Sequence, residues 1–148
     1  MPVSLPEILL APDTRPLVIA DSLALIKAEL ADKTGIAGNA VKLAYKTVSS
    51  IAPGYVREIV ESMLPVVADT LQPYWAEFWA SGGSEFGDYL AKRGEEVAES
   101  LLVITDAMAA GSARAVVVTA YRTVRGHAPR HIETALPQVG DLVQKYAR

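Results

Sequence analysis

One segment of this chain occurs twice, and this duplication restricts the fold more than any other feature of the sequence. Ala44–Val48 (AYKTV) returns 76 residues later as Ala120–Val124 (AYRTV). Further along the chain the offset becomes 72, where the Leu-Pro pair at Leu64 matches the pair at Leu136. A sequence pattern repeated in tandem builds one supersecondary unit twice. The sequence therefore predicts a pseudo-symmetric fold.

The two copies are predicted to form one helical domain over residues 1–148. They span about 17–79 and 85–147 and are joined by a turn at Gly82–Gly83. Apolar residues recur at helical spacing, and no stretch keeps a period-two alternation. Each copy is too small to close its own core, so we expect the two copies to share one. We predict an all-α, compact bundle of six to eight helices.

Local signals predict where some of these helices run. Pro65 and Pro73 fall inside a helical pattern, so we expect that stretch to break or kink. Beyond the turn, apolar residues from Phe86 to Met108 line one face of a single long helix. The valine-rich segment 115–119 suits a strand by local propensity, but its repeat partner has a helical pattern. We therefore predict a helix there as well.

The composition limits both chemistry and location. The chain has 148 residues and no cysteine, which excludes disulfides, thiolate metal sites and a cysteine nucleophile. Its N-terminus lacks the basic segment of a signal peptide. No uncharged apolar run reaches the ~18 residues of a membrane helix. We predict a cytoplasmic protein with no membrane insertion.

Charge is distributed unevenly along the chain. Residues 1–110 carry 8 basic and 15 acidic side chains, whereas residues 111–148 carry 6 basic and 2 acidic ones. The basic part could contact an acidic partner or a phosphate, or it could lie against the acidic Glu85–Glu99 stretch of the same chain. Because the whole protein has a net charge of −3 and should repel nucleic acid, we predict no nucleic-acid partner.

No group of residues has the pattern of a catalytic or metal site. His127 and His131 have the four-residue spacing of a helical metal pair, but Pro129 lies between them. The turn at 81–84 precedes a helix N-terminus, where anions can bind. However, no strand precedes the turn, and no lysine follows it at the position that a phosphate-binding loop requires. We therefore predict no catalytic, cofactor-binding or metal-binding residues and no enzymatic activity.

Aromatic side chains gather around the turn between the copies. Large rings can fill a core, anchor a partner or wall an apolar pocket, and the sequence leaves all three open. Six residues form the candidate ligand or partner surface: Tyr74, Trp75, Phe78, Trp79, Phe86 and Tyr89.

Several segments together resemble a family of short, all-helical, uncharacterised actinobacterial proteins. They are Asp13–Pro16, Leu25–Tyr74, Tyr74–Trp79, the Gly82–Gly83 turn and Tyr121–Tyr146. The resemblance covers nearly the whole chain. Its motifs are structural, so the resemblance implies no activity and no site residues.

The abundance of apolar and aromatic residues, without a chemical motif, favours an interaction function. We predict a non-enzymatic interaction or structural protein that self-associates as a homodimer and needs no cofactor. The alternative is a binding module for a small apolar or amphipathic ligand held where the two copies meet, because bundles often have a cavity between their helices.

Overall fold

The computed structural model describes residues 4–32 and 35–147. In these ranges the chain forms eight α-helices and no β-strand, which confirms the predicted all-α bundle of six to eight helices. The helices are α1 (Leu5–Leu9), α2 (Arg15–Asp32), α3 (Gly35–Ile51), α4 (Tyr55–Ala80), α5 (Phe86–Lys92), α6 (Gly94–Ala110), α7 (Ala115–Arg125) and α8 (Ala128–Ala147).

Six helices enclose the hydrophobic core, and α3 and α7 lie outside it. The main buried cluster takes its residues from α1, α2, α4, α5, α6 and α8. Helices α3 and α7 contact each other, and Val48 and Val117 are their buried large apolar side chains. The core cluster consists of Leu5, Leu9, Val18, Ile19, Leu64, Ala68, Leu71, Trp75, Phe78, Phe86, Leu90, Val97, Leu136 and Val143.

The helix contacts of the first half recur in the second half. Helix α1 lies against α4 as α5 lies against α8. Helix α2 contacts both α4 and α8, and α6 contacts the same two helices. Helix α3 contacts α2 and α4, while α7 contacts α6 and α8. The central contact between the halves outside the core is therefore the one between α3 and α7.

A glutamine side chain holds the start of each short helix. Gln144 of α8 is 7% exposed; its Oε1 accepts a hydrogen bond from the Phe86 backbone nitrogen at 3.0 Å, and its Nε2 donates to the Ser84 carbonyl at 2.9 Å. In the first half, Gln72 Oε1 accepts from the Leu5 backbone nitrogen at 2.6 Å. The first N–H groups of a helix lack partners within the helix. Both glutamines therefore satisfy donors that folding removes from water.

Helices α5 and α8 approach so closely that both have glycine at the contact. A Cβ atom on Gly140 would lie less than 3.0 Å from the Gly87 nitrogen, the Gly87 Cα and the Phe86 carbonyl carbon. A Cβ on Gly87 would lie 2.5 Å from the Pro137 carbonyl oxygen. Both glycines are buried. The packing of α5 on α8 therefore depends on the absence of these two side chains.

Of the predicted break or kink at Pro65 and Pro73, the break does not occur, and the long helix predicted beyond the turn is not continuous. Helix α4 runs as one helix through both of its prolines. Pro65 has no N–H to donate to the carbonyl of Glu61, and Arg15 Nη2 donates to that carbonyl instead, at 3.2 Å. The predicted long helix beyond the turn is divided into α5 and α6 at Arg93, whose φ of −113° and ψ of 28° lie outside the helical region.

Candidate interaction surfaces

The aromatic residues predicted as a surface lie mostly in the core. Trp75, Phe78 and Phe86 are at most 3% exposed, whereas Trp79 is 46% exposed. The Trp75 ring centroid lies 5.6 Å from that of Phe78, 5.8 Å from that of Trp79 and 5.0 Å from that of Phe86. Tyr74 and Tyr89 are partly buried at the edge of this group. Of the three alternatives, burial favours the core for Trp75, Phe78 and Phe86, and Trp79 is the member with an exposed ring.

A polar cavity of about 500 Å³ lies beside these rings. Arg93, in its lining, donates to Glu77 Oε1 at 3.0 Å, and its guanidinium carbon lies 4.0 Å from the Tyr89 ring centroid. Burial of the Tyr89 hydroxyl, with a smaller effect of Glu77, raises the pKa of Tyr89 to about 12. The lining also contains the carboxylates of Glu85 and Asp88. Lys92 also lines the cavity, but Arg93 is already paired and the three carboxylates of the lining outnumber its two cations. The cavity therefore does not favour an anionic ligand.

A groove of about 410 Å³ lies between α3 and α7. On α3, Ile36, Leu43 and Ile51 are 92%, 65% and 62% exposed. With Ala40 and Thr47 they recur every three or four residues, so they form one stripe along the helix. We call the groove and this stripe together the α3–α7 face. The residues lining the groove are Ala40, Leu43, Ala44, Thr47, Ala115, Val116, Thr119, Ala120 and Thr123.

The charged residues of α3 and α7 themselves are all basic: Lys42, Lys46, Arg122 and Arg125. Arg125 is paired with Asp106 of α6. Segments 33–57 and 107–132, which contain both helices, hold eight of the 14 basic residues and none of the 17 acidic residues. Lys46 and Arg122 are exposed, and neither forms an ion pair with any residue that the structure describes. Exposed apolar groups beside unpaired cations are suited to an anionic amphipathic partner.

Two polar clusters attach helices to their neighbours. Asp106 of α6 accepts from Arg125 Nε at 2.8 Å and from the hydroxyl of Tyr121, both on α7. Arg125 and then Tyr121 lower the pKa of Asp106. On the other side of the bundle, the Tyr146 hydroxyl donates to Asp21 of α2 and is the main cause that lowers the pKa of Asp21. The carboxylates in both clusters are occupied, so these clusters stabilise packing.

The spacing of apolar residues does not reveal the α3–α7 face. A helical apolar stripe looks the same whether it faces the core or the solvent, so the exposure of Ile36, Leu43 and Ile51 could not be read from their spacing. A usable signal was the absence of acidic residues from 33–57 and 107–132. When the charges are counted on either side of residue 110, this pattern is hidden. The boundary cuts the segment 107–132 and counts 33–57 together with the acidic residues of the first part of the chain.

The remaining predicted features do not converge on a site. His127 directly precedes α8 and His131 lies in its first turn. Within residues 4–32 and 35–147, no three side chains of His, Cys, Asp or Glu are placed to hold a metal ion. No helix in that part of the chain is both long enough and apolar enough to cross a membrane.

Comparison with known proteins identifies a family. No curated protein and no solved structure matches the chain. The sequence profile of a family of unknown function, DUF6918, matches residues 5–147. This range includes all eight helices, and the match agrees with the predicted resemblance to an uncharacterised helical family. The chain therefore belongs to the DUF6918 family of unknown function.

Proposed function

We propose that the protein is a non-enzymatic interaction module that binds an amphipathic partner through the α3–α7 face. The observation that carries this proposal is the coincidence, on one pair of helices, of an exposed apolar stripe and charge of a single sign. Single exposed apolar residues are normal on a protein surface. A stripe of them beside an apolar groove is typical of a binding surface.

The position of α3 and α7 supports this role. Both helices lie outside the main core cluster, so a partner can cover their outer side without displacing core side chains. Contacts of α3 with α2 and α4, and of α7 with α6 and α8, attach the two helices to the rest of the bundle. A surface carried by helices on a packed support keeps its shape when a partner binds.

The sequence-based alternative is a small apolar or amphipathic ligand held where the two copies meet, and the α3–α7 face shares that location. Helix α3 contains the AYKTV segment and α7 contains AYRTV. Ala44 and Ala120, which are equivalent in the two segments, line the same groove. The groove thus lies between the two matching parts of the chain.

We also propose that the duplicated unit has four helices, α1–α4 and α5–α8. Its support is the recurrence of the helix contacts in the two halves and the equivalent role of two glutamines that the repeat matches, Gln72 and Gln144. On this proposal the first copy begins at α1, earlier than residue 17.

Self-association stays a prediction. A symmetric dimer presents the same surface from both subunits. A dimer through the α3–α7 face would bring Lys46 and Arg122 of one copy against those of the other, and like charges at an interface are unfavourable. A homodimer should therefore use another surface. Light scattering coupled to gel filtration measures the mass, and a strict monomer at micromolar concentration would remove the homodimer.

Anilinonaphthalene sulfonate, an anionic amphipathic dye, tests the binding role. We expect its fluorescence to rise with the protein, and hydrogen exchange to slow in α3 and α7 when the dye is bound. The L43S/I51S variant should lose most of the dye signal. The matched control is Leu17→Ser, because Leu17 is 55% exposed at the start of α2. Protection elsewhere, or equal losses in the two variants, contradicts the proposal.

A further inference from the structure

We infer that the partner of the α3–α7 face is the surface of an anionic lipid bilayer, an inference that rests on the proposed binding role. Helices α3 and α7 lie in the plane of the lipid headgroups, and Ile36, Leu43 and Ile51 enter the boundary of the acyl chains. Lys46 and Arg122 lie against lipid phosphates. Amphipathic helices with cations beside an apolar face bind membranes in this way.

The shape of the face favours an extended partner over a single small ligand. The stripe from Ile36 to Ile51 extends over roughly 22 Å of helix. A small-molecule pocket encloses most of its ligand. Here Leu43, Thr119 and Thr123, which line the groove, are themselves exposed. The groove is therefore too open to enclose an acyl chain, whereas a bilayer covers the whole stripe at once.

The side chains of the face also favour a bilayer over a partner helix. Protein partners are held by large side chains that enter well-packed pockets at the centre of an interface. The groove is lined largely by alanine and threonine, and Ile36 and Ile51 lie outside its lining. The largest apolar side chains are thus spread along the helix, as insertion at many points of a lipid surface requires.

The charge of the rest of the protein selects one orientation on the membrane. Outside segments 33–57 and 107–132 the chain has six basic and 17 acidic residues. An anionic surface repels that part of the molecule and attracts the cations near α3 and α7. The α3–α7 face is therefore the side of the protein that approaches the bilayer.

Flotation of the full chain with lipid vesicles tests this inference. We expect binding to phosphatidylcholine vesicles that contain roughly one-third phosphatidylglycerol, little binding to phosphatidylcholine alone, and weaker binding as salt screens the charges. The K46E/R122E variant should bind at least about tenfold more weakly, and L43S/I51S should also bind more weakly. Lys92→Glu, on α5, and Leu17→Ser are the matched controls and should bind as the wild type does.

A fluorescent label reports the orientation directly. The chain has no cysteine, so Thr47→Cys with a bimane label places one probe in the groove, and Ser81→Cys places one at the turn between the halves. The label at position 47 should shift to the blue on anionic vesicles, and the label at position 81 should not. Circular dichroism and thermal unfolding of each variant establish that it is folded.

Three outcomes overturn the bilayer as the partner: equal binding to neutral and anionic vesicles, equal loss of binding in Lys92→Glu and K46E/R122E, or no binding of the wild type. If the dye binds at α3 and α7 but the vesicles do not bind, the interaction role stands and the bilayer is wrong. An acidic amphipathic protein segment then becomes the partner to seek. If the vesicles do not bind and the dye binds at other helices or does not bind, the proposed interaction role is wrong as well as the bilayer.

Discussion

Gly140→Ala is the smallest change that tests how α5 and α8 pack. The added methyl group would lie less than 3.0 Å from three backbone atoms of α5, in Phe86 and Gly87. Backbone atoms cannot rotate aside as the end of a side chain can. Helix α5 must therefore move away from α8, and the buried Phe86 and Leu90 side chains on α5 must move with it.

The free energy of this change follows from two opposing effects. Overpacking of a filled core costs about 1–3 kcal/mol, and contact with backbone places this substitution near the upper end. Alanine returns about 1 kcal/mol because it is a better helix former than glycine. We expect Gly140→Ala to lower the free energy of unfolding by about 2 kcal/mol. For a chain of this length, that corresponds to a fall in Tm of about 4–8 °C.

Urea unfolding followed by circular dichroism measures this difference. Gly126→Ala is the control: Gly126 has helical φ and ψ of −62° and −24°, and apart from the adjoining backbone no atom lies within 4 Å of the position its Cβ would take. That variant should be equal to the wild type or more stable by about 0.4–1 kcal/mol. If Gly140→Ala is as stable as Gly126→Ala, α5 and α8 do not meet at Gly87 and Gly140, and the packing described above is wrong.

Four further predictions follow from single contacts. Arg15→Ala should lower the free energy of unfolding by about 1 kcal/mol. The loss should be smaller in a Pro65→Ala background, because the N–H of residue 65 then donates to the Glu61 carbonyl. A double-mutant cycle in urea measures this coupling, and equal losses in the two backgrounds would count against it. Gln144→Leu leaves the buried Phe86 N–H without a partner and should cost about 2–3 kcal/mol. The loss should be smaller for Gln72→Leu, because Gln72 is itself only partly buried, whereas Gln144 is buried and also bonds the Ser84 carbonyl. An unchanged urea midpoint for Gln144→Leu would refute this. The pKa values of Asp21 and Asp106 are lowered in the folded protein, so both carboxylates stabilise the fold above the usual carboxyl pKa of 3.8. This stabilisation is lost as the pH falls through the lower pKa values of the folded state. Asp106→Asn should therefore make Tm fall less steeply at acid pH, and the same slope as in the wild type would contradict the prediction. The pKa of Tyr89 is raised to about 12, so its contribution to stability is complete below the usual value of 10.0 and is lost as the pH rises towards 12. The pKa values of Tyr74, Tyr121 and Tyr146 are raised as well, so absorbance titration at alkaline pH should show several late tyrosines. Tyr89→Phe should remove one of them, and an unchanged late fraction would disprove the assignment.

Periodicity and repetition were sufficient for the fold class. The absence of any period-two stretch predicted helices throughout, which the structure confirms. The valine-rich start of α7 shows what the repeat added: local propensity alone suits a strand there, but the matching segment of α3 predicted the observed helix. Repetition supplied information that the local residues did not contain.

The features that the sequence did not predict depend on contacts between distant residues. Helix α4 continues through Pro65 with help from Arg15, which precedes Glu61 by 46 residues. Helices α5 and α8 make their close contact at Gly87 and Gly140. In the sequence, a single glycine in a helical pattern indicates a residue that destabilises the helix, and it does not indicate a contact with another helix. Likewise, the spacing of the aromatic residues is the same for a core and for a surface, so only the tertiary structure separates Trp79 from its buried neighbours.

The close match of AYKTV and AYRTV has a physical reason on the proposed duplication. If the demands of the core alone kept the two halves alike, the match should be closest in the core helices, but these segments lie in α3 and α7, outside the main cluster. Near a pseudo-two-fold axis, each residue lies opposite its own counterpart. Ala44 and Ala120 line the same groove, so a larger side chain in either copy would narrow it for both. On that proposal, Lys46 and Arg122 place a cation at equivalent positions of the two helices, and duplication of one unit accounts for an apolar groove with a cation on each of its two helices.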